Sequence, residues 1–313
     1  IMTLLLPTPT RRAFLTSAVA FGASAVLSVS INRVARAAPD KTPSAIAFDG
    51  NALIVGGAGF IRRDDGGVST PLPGPKGGNI LSLATHKDRV GRIAAGLANG
   101  GVALSDDGGK SWEPLSQGLP TAPVTAVAVA ASNPDTLYVS VHGDGLWKSE
   151  DAGRSWVFAM DRPWLADAER DLTALASVDL ASGMGGIWLY AGTGLGLTRV
   201  PDCFCRWQDV QPGDAMDALV SGAAPAPEAP LPTGEPIHAL VSAASVPMRL
   251  YAALPSGVWA SADAGVVWAQ RSSFRTDAVA VHPNNADQVV ALTADGLIQT
   301  RDGGLSWTPL ANN

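Results

Sequence analysis

Four aspartates recur at one position of a repeated segment, which makes them the first candidates for acid–base chemistry. The segments share the pattern Ser/Thr-x-Asp-x-Gly-x-x-Trp, and its residues are Asp107, Gly109, Trp112, Asp151, Gly153, Trp156, Asp263, Gly265, Trp268, Asp302, Gly304 and Trp307. A carboxylate can serve as general acid, base or nucleophile, and glycosidases use a pair of them. In this pattern, however, the Asp can accept backbone N–H bonds across a tight turn, the Gly allows positive φ, and the Trp can bury its ring. We therefore interpret these residues as structural rather than catalytic.

Cysteine and histidine are the other side chains that could hold a metal ion. Cys203 and Cys205 are the only cysteines, and one residue separates them. A Cys-x-Cys segment allows a local disulfide, two free thiols in an unusual turn, or a copper or zinc site, and we favour metal least. The four histidines fall in different repeats without ligand spacing and are His86, His142, His238 and His282. We predict no cofactor.

The spacing of the repeats predicts the fold that must position these residues. Two degenerate copies, 63–70 and 198–207, fill the gaps between the four complete ones, and the last residues of successive copies lie 39 to 61 residues apart. Each unit carries four short strands, and repeated units of this kind, about 40–45 residues long, are typical of a β-propeller. We predict an all-β propeller of six four-stranded blades over residues 43–313. Seven blades are the alternative and require a further, hidden unit.

The N-terminal segment carries the features of an export signal. Arg11 and Arg12 precede Phe14 and Leu15, an uncharged stretch of 19 residues follows from residue 13, and a small-residue run at 35–38 suits a cleavage site. The segment resembles the twin-arginine motif, which implies export to the periplasm. We predict a helical leader over residues 1–37 and a linker over 38–42. At about 1.5 Å per residue the uncharged stretch spans roughly 28 Å, so an uncleaved leader could anchor the protein in the inner membrane.

Charge excludes one class of partner. The net charge is -6, and the first 37 residues hold four arginines and no acids, which leaves 18 of the 22 basic residues against all 28 acidic residues. A body this acidic offers no basic stripe for phosphates, so we expect no nucleic-acid partner.

Blade topology places the longest insertions on one face. In a four-stranded blade the turns between strands one and two and between strands three and four share a face, and the remaining connections share the other. The insertions 160–171 and 211–236 are blade-to-blade connections, so we expect them together opposite the repeated segments. Five prolines in the second predict a stiff arm. Loops on rigid scaffolds often carry binding, and the candidate partner face comprises Arg162, Trp164, His142 and Asp144.

The repeated pattern resembles the Asp-box, also called the bacterial neuraminidase repeat. Sialidases, sortilin-type receptors and photosystem II assembly and stability factors share it. Segments such as Leu137-Tyr138-Val139 and Gly145-Leu146-Trp147-Lys148-Ser149 are most similar to the last two groups. The resemblance covers roughly residues 43–310 and implies the fold more strongly than the function.

Two functions follow from the resemblance. The first is a non-catalytic, exported binding, assembly or accessory subunit of a periplasmic or membrane-bound complex, photosynthetic or respiratory, which touches the membrane only through a retained leader. The alternative is a sialidase-like glycoside hydrolase. That enzyme needs an arginine cluster and a Tyr–Glu pair near the channel, whereas the predicted inner strands are uncharged, as in 126–128 and 278–280. We therefore favour the first function.

Overall fold

The computed structural model describes residues 42–310 apart from 77, 164–170, 181–185 and 211–228. Within these residues the chain forms six antiparallel sheets of four strands each, and the strands of every sheet follow one another along the chain. Each sheet is a blade, and the blades are numbered 1 to 6 in chain order. No helix occurs among the described residues.

The strands of the first three blades are short, and most end at a glycine or polar turn. Blade 1 comprises β1 (Pro43–Asp49), β2 (Ala52–Gly57), β3 (Phe60–Asp65) and β4 (Val68–Leu72). Blade 2 comprises β5 (Ile80–Thr85), β6 (Ile93–Leu97), β7 (Val102–Ser105) and β8 (Glu113–Pro114). Blade 3 comprises β9 (Val124–Ala130), β10 (Asn133–Val141), β11 (Gly145–Ser149) and β12 (Val157–Met160).

The last three blades repeat this order. Blade 4 comprises β13 (Leu172–Asp179), β14 (Ile187–Thr193), β15 (Leu197–Pro201) and β16 (Gln208–Asp209). Blade 5 comprises β17 (Ala239–Ala243), β18 (Val246–Leu254), β19 (Gly257–Ser261) and β20 (Trp268–Gln270). Blade 6 comprises β21 (Thr276–His282), β22 (Asn285–Thr293), β23 (Gly296–Thr300) and β24 (Thr308–Pro309).

The first two strands of each blade form the core because neighbouring blades cover both of their faces. β9 reads Val-Thr-Ala-Val-Ala-Val-Ala, and all of its residues except Thr125 are buried. Small side chains suit this position, since the inner strands converge around the axis. The outermost strands are mostly exposed, as in β8 and β24.

Polar side chains at the start of the inner strands tie consecutive blades together. The hydroxyl of Thr125 donates to the carbonyl oxygen of Leu172 at 2.7 Å, and that of Thr173 donates to Ile237 at 2.6 Å. Blades 1 and 5 repeat this contact through Ser44, which donates to Ile80, and His238, whose Nδ1 lies 2.9 Å from the carbonyl oxygen of Thr276. These side chains satisfy backbone groups that no strand pairing reaches.

The ring closes by packing rather than by a shared sheet. Blade 1 and blade 6 each supply all four of their own strands, and β1 lies against β21. One apolar cluster spans this seam and includes Phe48 and Leu53 from blade 1 with Val290 and Leu292 from blade 6. His282 Nε2 lies 3.1 Å from Oδ1 of Asn51 across the same seam.

The structure confirms the prediction of six four-stranded blades over the seven-bladed alternative. The predicted leader helix and its residues Arg11, Arg12, Phe14 and Leu15 lie outside the described residues. Over the part of the chain that the structure describes, no helix has the length and apolar character needed to cross a bilayer.

Candidate functional site

The four repeated segments form the turns between the third and fourth strands of blades 2, 3, 5 and 6, and are called the repeat turns here. In blade 3, Oδ1 of Asp151 accepts the Ser155 N–H at 2.8 Å, and Oδ2 accepts the Ser155 hydroxyl at 2.6 Å. These hydrogen bonds lower the pKa of Asp151 to about 2, the serine hydroxyl contributing most. A carboxylate held this strongly in its ionised form is a poor general acid at neutral pH.

The buried residue of each repeat turn is its first one, not the aspartate. The hydroxyl of Ser149 is buried, accepts the N–H of Gly153 at 2.7 Å and donates to Asp151 at 2.9 Å. The equivalent hydroxyls are Ser105, Ser261 and Thr300. Asp107 and Asp302 are exposed, and Asp151 and Asp263 are half-buried. The expectation of a buried aspartate acceptor was therefore wrong, because the smaller hydroxyl occupies the interior of the turn.

The tryptophans of the repeat turns lie in the seams between blades. The indole N–H of Trp156 donates to the carbonyl oxygen of Leu115 in blade 2 at 2.8 Å. Trp112 and Trp307 make the equivalent bond to Pro73 and Arg271 of the preceding blade, each at 2.9 Å. Trp268 donates within its own turn, to Gly265 at 2.7 Å, and Trp207 of the enlarged turn donates to Asp161 at 2.8 Å.

Each of these rings packs on the second strand of the preceding blade. The five pairs are Ile54 with Trp112, Ala94 with Trp156, Tyr138 with Trp207, Tyr190 with Trp268, and Tyr251 with Trp307. The seams between blades 1 and 2 through blades 5 and 6 are thus built alike.

The central pocket has a small, apolar wall. Its volume is about 160 Å³, and it opens at the ends of the inner strands on the repeat-turn face. One equivalent residue from each blade lines it, and these are Ala47, Ala84, Ala128, Ala176, Val241 and Ala280. Lys87 is the charged residue in this lining, and none of the described residues that line the pocket is an acid. A retaining glycosidase places two carboxyl groups about 5–5.5 Å apart, and this wall supplies neither.

Three of the four residues of the predicted partner face come together at blade 3. The carboxylate of Asp171 accepts the Gly143 N–H at 2.9 Å and a bond from Nη1 of Arg162 at 3.1 Å, and it lies 3.1 Å from Nδ1 of His142. Asp171 is buried, whereas more than half of the His142 side chain is exposed. Trp164, the fourth predicted residue, lies outside the described residues.

An aromatic pair adjoins this cluster. Asp144 accepts the indole N–H of Trp147 at 2.7 Å, and the Trp147 ring meets Phe158 edge to face with centroids 5.6 Å apart. Phe158 and its neighbour Val157 on β12 are 45% and 66% exposed. Sequence reasoning missed these two, although apolar residues on an outermost strand were the available signal. We call His142, Asp144, Trp147, Phe158, Arg162 and Asp171 the blade 3 surface.

The second insertion does not remain on the face that we expected. Its described part begins at Ala229, whose carbonyl oxygen accepts the N–H of Trp268 at 2.8 Å beside the repeat turn of blade 5. Leu231 is buried there, and Gly234 donates its N–H to Leu195 between the second and third strands of blade 4. Residues 229–236 thus run along the seam between blades 4 and 5 instead of projecting as an arm, because Leu231 gains burial.

Cys203 and Cys205 are joined by a disulfide. Between them Phe204 adopts a positive φ of 50° and packs edge to face on Tyr138 of blade 3. Nζ of Lys148 lies 5.6 Å from the centre of the Phe204 ring, which is cation–π distance. Within the described ranges, no three His, Cys, Asp or Glu residues are arranged to hold a metal ion.

Solved structures share this fold at low sequence identity. No family model matches the chain, and no curated protein does. A GH74 enzyme from Niastella koreensis superposes with a TM-score of 0.56 at 17% identity, over 85% of this chain and 44% of that chain. YCF48 from Cyanidioschyzon merolae superposes with a TM-score of 0.50 at 16% identity, over 87% and 85%. YCF48 bound to D1 peptide gives a TM-score of 0.50 at 15% identity, over 86% and 82%.

These likenesses concern the fold alone. The chain spans less than half the length of the GH74 enzyme but most of the length of both YCF48 chains. The chain is therefore similar in extent to a single propeller that was solved with a bound peptide, and in blade architecture to part of an enzyme.

Proposed function

We propose that this protein is a non-catalytic, exported propeller that binds a protein partner through the blade 3 surface, as an assembly or accessory subunit of a periplasmic or membrane-bound complex. The observation that carries the proposal is the exposed pair of His142 and Arg162, fixed by the buried carboxylate of Asp171. Side chains that are held in place before binding lose less conformational freedom on binding.

The composition of the surface supports a protein partner. Arginine and large aromatic residues most often dominate the energy of protein interfaces. Arg162 and Phe158 supply both types beside Trp147, and the rigid strands β11 and β12 position the two rings. The peptide-bound YCF48 neighbour agrees with a propeller that recognises polypeptide, and the earlier resemblance to photosystem factors suggests a photosynthetic or respiratory complex.

A glycosidase is the weaker candidate. The GH74 likeness covers less than half of that enzyme, and the central pocket of this chain is lined by alanine and valine rather than by carboxylates. A cleft that lacks both members of the acid pair has no described means of activating a glycosidic bond.

Site-specific crosslinking tests the proposal. A photoreactive phenylalanine analogue is placed at Phe158 and, as a matched control, at Leu305, which is also exposed but lies in the repeat turn of blade 6. In the native host we expect a defined protein adduct from position 158 and none from position 305. We expect Arg162→Ala to lower the adduct yield by at least about fivefold, the effect of an interface residue worth about 1 kcal/mol. An adduct from position 305 alone would show that the partner binds the opposite face.

A further inference from the structure

The seam between blades 6 and 1 differs from the other five. In those five seams a tryptophan from the later blade packs on the second strand of the earlier blade. The apolar cluster between blades 6 and 1 contains no tryptophan among its described members. The difference originates in the turn between β3 and β4.

Strand register shows which residue replaces the tryptophan. Glu113 pairs with Leu104 directly after Trp112, and the equivalent pair in blade 1 is Thr70 with Arg63. Ser69 therefore occupies the position of Trp112. The turn is two residues shorter, a tight hairpin in which Gly66 and Gly67 both adopt positive φ, at 55° and 85°. The sequence comparison had placed Thr70 at the tryptophan position, and the register corrects this by one residue.

The shorter turn leaves a cavity of about 140 Å³ between the two blades. Phe48, Leu53 and Ser69 line it from blade 1, and Val290, Gln299 and Leu310 line it from blade 6. Its blade 6 wall matches the wall that meets an indole elsewhere. Val290 pairs with Ala280 as Ile54 pairs with Ala47, and Ile54 packs with Trp112.

A backbone acceptor also stands in the equivalent place. The residue that follows the fourth strand donates its N–H to the first or second residue of the third strand in three blades, as Leu115 to Val102, Arg271 to Val258, and Leu310 to Leu297. The carbonyl oxygens of Leu115 and Arg271 accept the indole N–H bonds of Trp156 and Trp307. The carbonyl of Leu310 lines the cavity at the same point of its blade.

We propose that the cavity between blades 6 and 1 is a binding site for an indole ring supplied by another molecule. An apolar cavity of about 150 Å³ admits a benzene ring, and this one is open to solvent beside Val68, which is 65% exposed. The bound ring lies on Val290 and Phe48 and donates its N–H to the carbonyl of Leu310. This site lies on a different seam from the blade 3 surface, so it stands independently of the proposed function.

Fluorine NMR of 5-fluoroindole with the folded full chain tests the site. We expect saturable binding in the millimolar range or tighter. Two variants fill the cavity with the chain's own indole, Ser69→Trp from blade 1 and Gln288→Trp from blade 6, and each should weaken binding by at least about tenfold. Leu305→Trp adds the same side chain to blade 6 away from the cavity and should change the affinity by less than about twofold.

A second probe identifies the source of the ring. If N-acetyl-5-fluorotryptophanamide binds with the same sensitivity to Gln288→Trp, the opening admits a ring attached to a peptide, and the source is a tryptophan side chain. If only free 5-fluoroindole binds, the source is a small indole-bearing molecule. Absence of binding by both probes, or equal binding by wild type and both filled variants while their melting temperatures show folded protein, would overturn the proposal.

Discussion

The indole nitrogen of Trp156 in blade 3 donates a hydrogen bond of 2.8 Å to the carbonyl oxygen of Leu115 in blade 2. The ring itself lies in the cluster that Ala94, Leu115 and Leu137 form between the two blades. One side chain thus fills the seam with apolar surface and satisfies a backbone acceptor at its edge. Blades without shared strands depend on such contacts for their relative position.

We predict that Trp156→Ala lowers the free energy of unfolding by about 3–5 kcal/mol, the usual cost of removing a large buried aromatic side chain. Urea denaturation followed by circular dichroism measures the change. Trp307→Ala serves as the graded control, since this ring is only half-buried and should cost less. A loss of stability that is equal for both, or absent for Trp156→Ala, would contradict a role for burial.

Acid should destabilise the propeller through the repeat turns. Hydrogen bonds, chiefly from Ser111 and Ser155, lower the pKa of Asp107 and Asp151 to about 2, and those from Ser306 and Thr300 also lower the pKa of Asp302. A carboxyl group in an unfolded chain has a pKa of about 3.9. Because the folded values are lower, this stability is present above about pH 4 and is lost as the pH falls toward 2.

Melting temperature against pH checks this expectation. We expect a plateau above about pH 5 and a decline between about pH 4 and pH 2. Ser155→Ala removes a hydroxyl that donates to Asp151 and should make the decline begin at higher pH. Val157→Ala, at an exposed neighbouring residue, should leave the profile unchanged. A wild-type curve that stays flat down to pH 2 would be incompatible with the lowered pKa values.

We predict no hydrolysis of sialosides. The described wall of the central pocket lacks a carboxylate pair and an arginine cluster, so nothing there binds the sugar carboxylate or protonates the leaving group. Turnover of a fluorogenic sialoside at neutral pH and at pH 5 provides the measurement, with the Lys87→Ala variant as control for the one charged lining residue. Turnover that Lys87→Ala abolishes would replace the binding-module proposal with an enzyme.

The period of the tryptophans predicted the blades because each blade needs one contact with its predecessor. The same regularity misled the assignment of blade 1. Asp65, Gly66 and Gly67 match the repeated pattern in letters, yet two adjacent glycines form a two-residue hairpin, and pattern matching does not detect the shorter loop.

Burial within the repeat turns could not be predicted from residue types. Ser149 and Asp151 are both polar, and only the backbone path decides that the serine hydroxyl faces inward while the carboxylate caps the outside of the turn. The blade 3 surface required more distant information. Arg162 and His142 are 20 residues apart in the sequence, and the burial of Asp171, which joins them, becomes evident only in the folded chain.

Export should depend on the paired arginines of the leader. We predict that Arg11→Lys together with Arg12→Lys leaves the protein in the cytoplasm, because twin-arginine recognition requires the guanidinium pair. Arg33→Lys, a conservative change outside the motif, is the matched control and should not alter export. Immunoblotting of periplasmic and cytoplasmic fractions measures the distribution. Equal periplasmic amounts for wild type and the double variant would exclude this route.

The blade 3 surface should lose its order when Asp171 is removed. Asp171→Ala takes away the acceptor of the Gly143 N–H and the charge beside Arg162 and His142. We expect a loss of about 1–3 kcal/mol in the free energy of unfolding, because a buried backbone donor loses its partner.

A double-mutant cycle separates the ion pair from this backbone effect. Arg162→Ala and Asp171→Ala should couple by about 1 kcal/mol, since a hydrogen bond to a charged, mostly buried group exceeds a surface pair in strength. Lys87 and Asp88, an exposed pair at 2.9 Å, provide the comparison and should couple by less than about 0.5 kcal/mol. If Asp171→Ala also lowers the crosslinking yield from position 158 as much as Arg162→Ala does, the carboxylate acts by holding the arginine in place. A yield that Asp171→Ala leaves unchanged would show that the partner does not depend on this fixed arrangement.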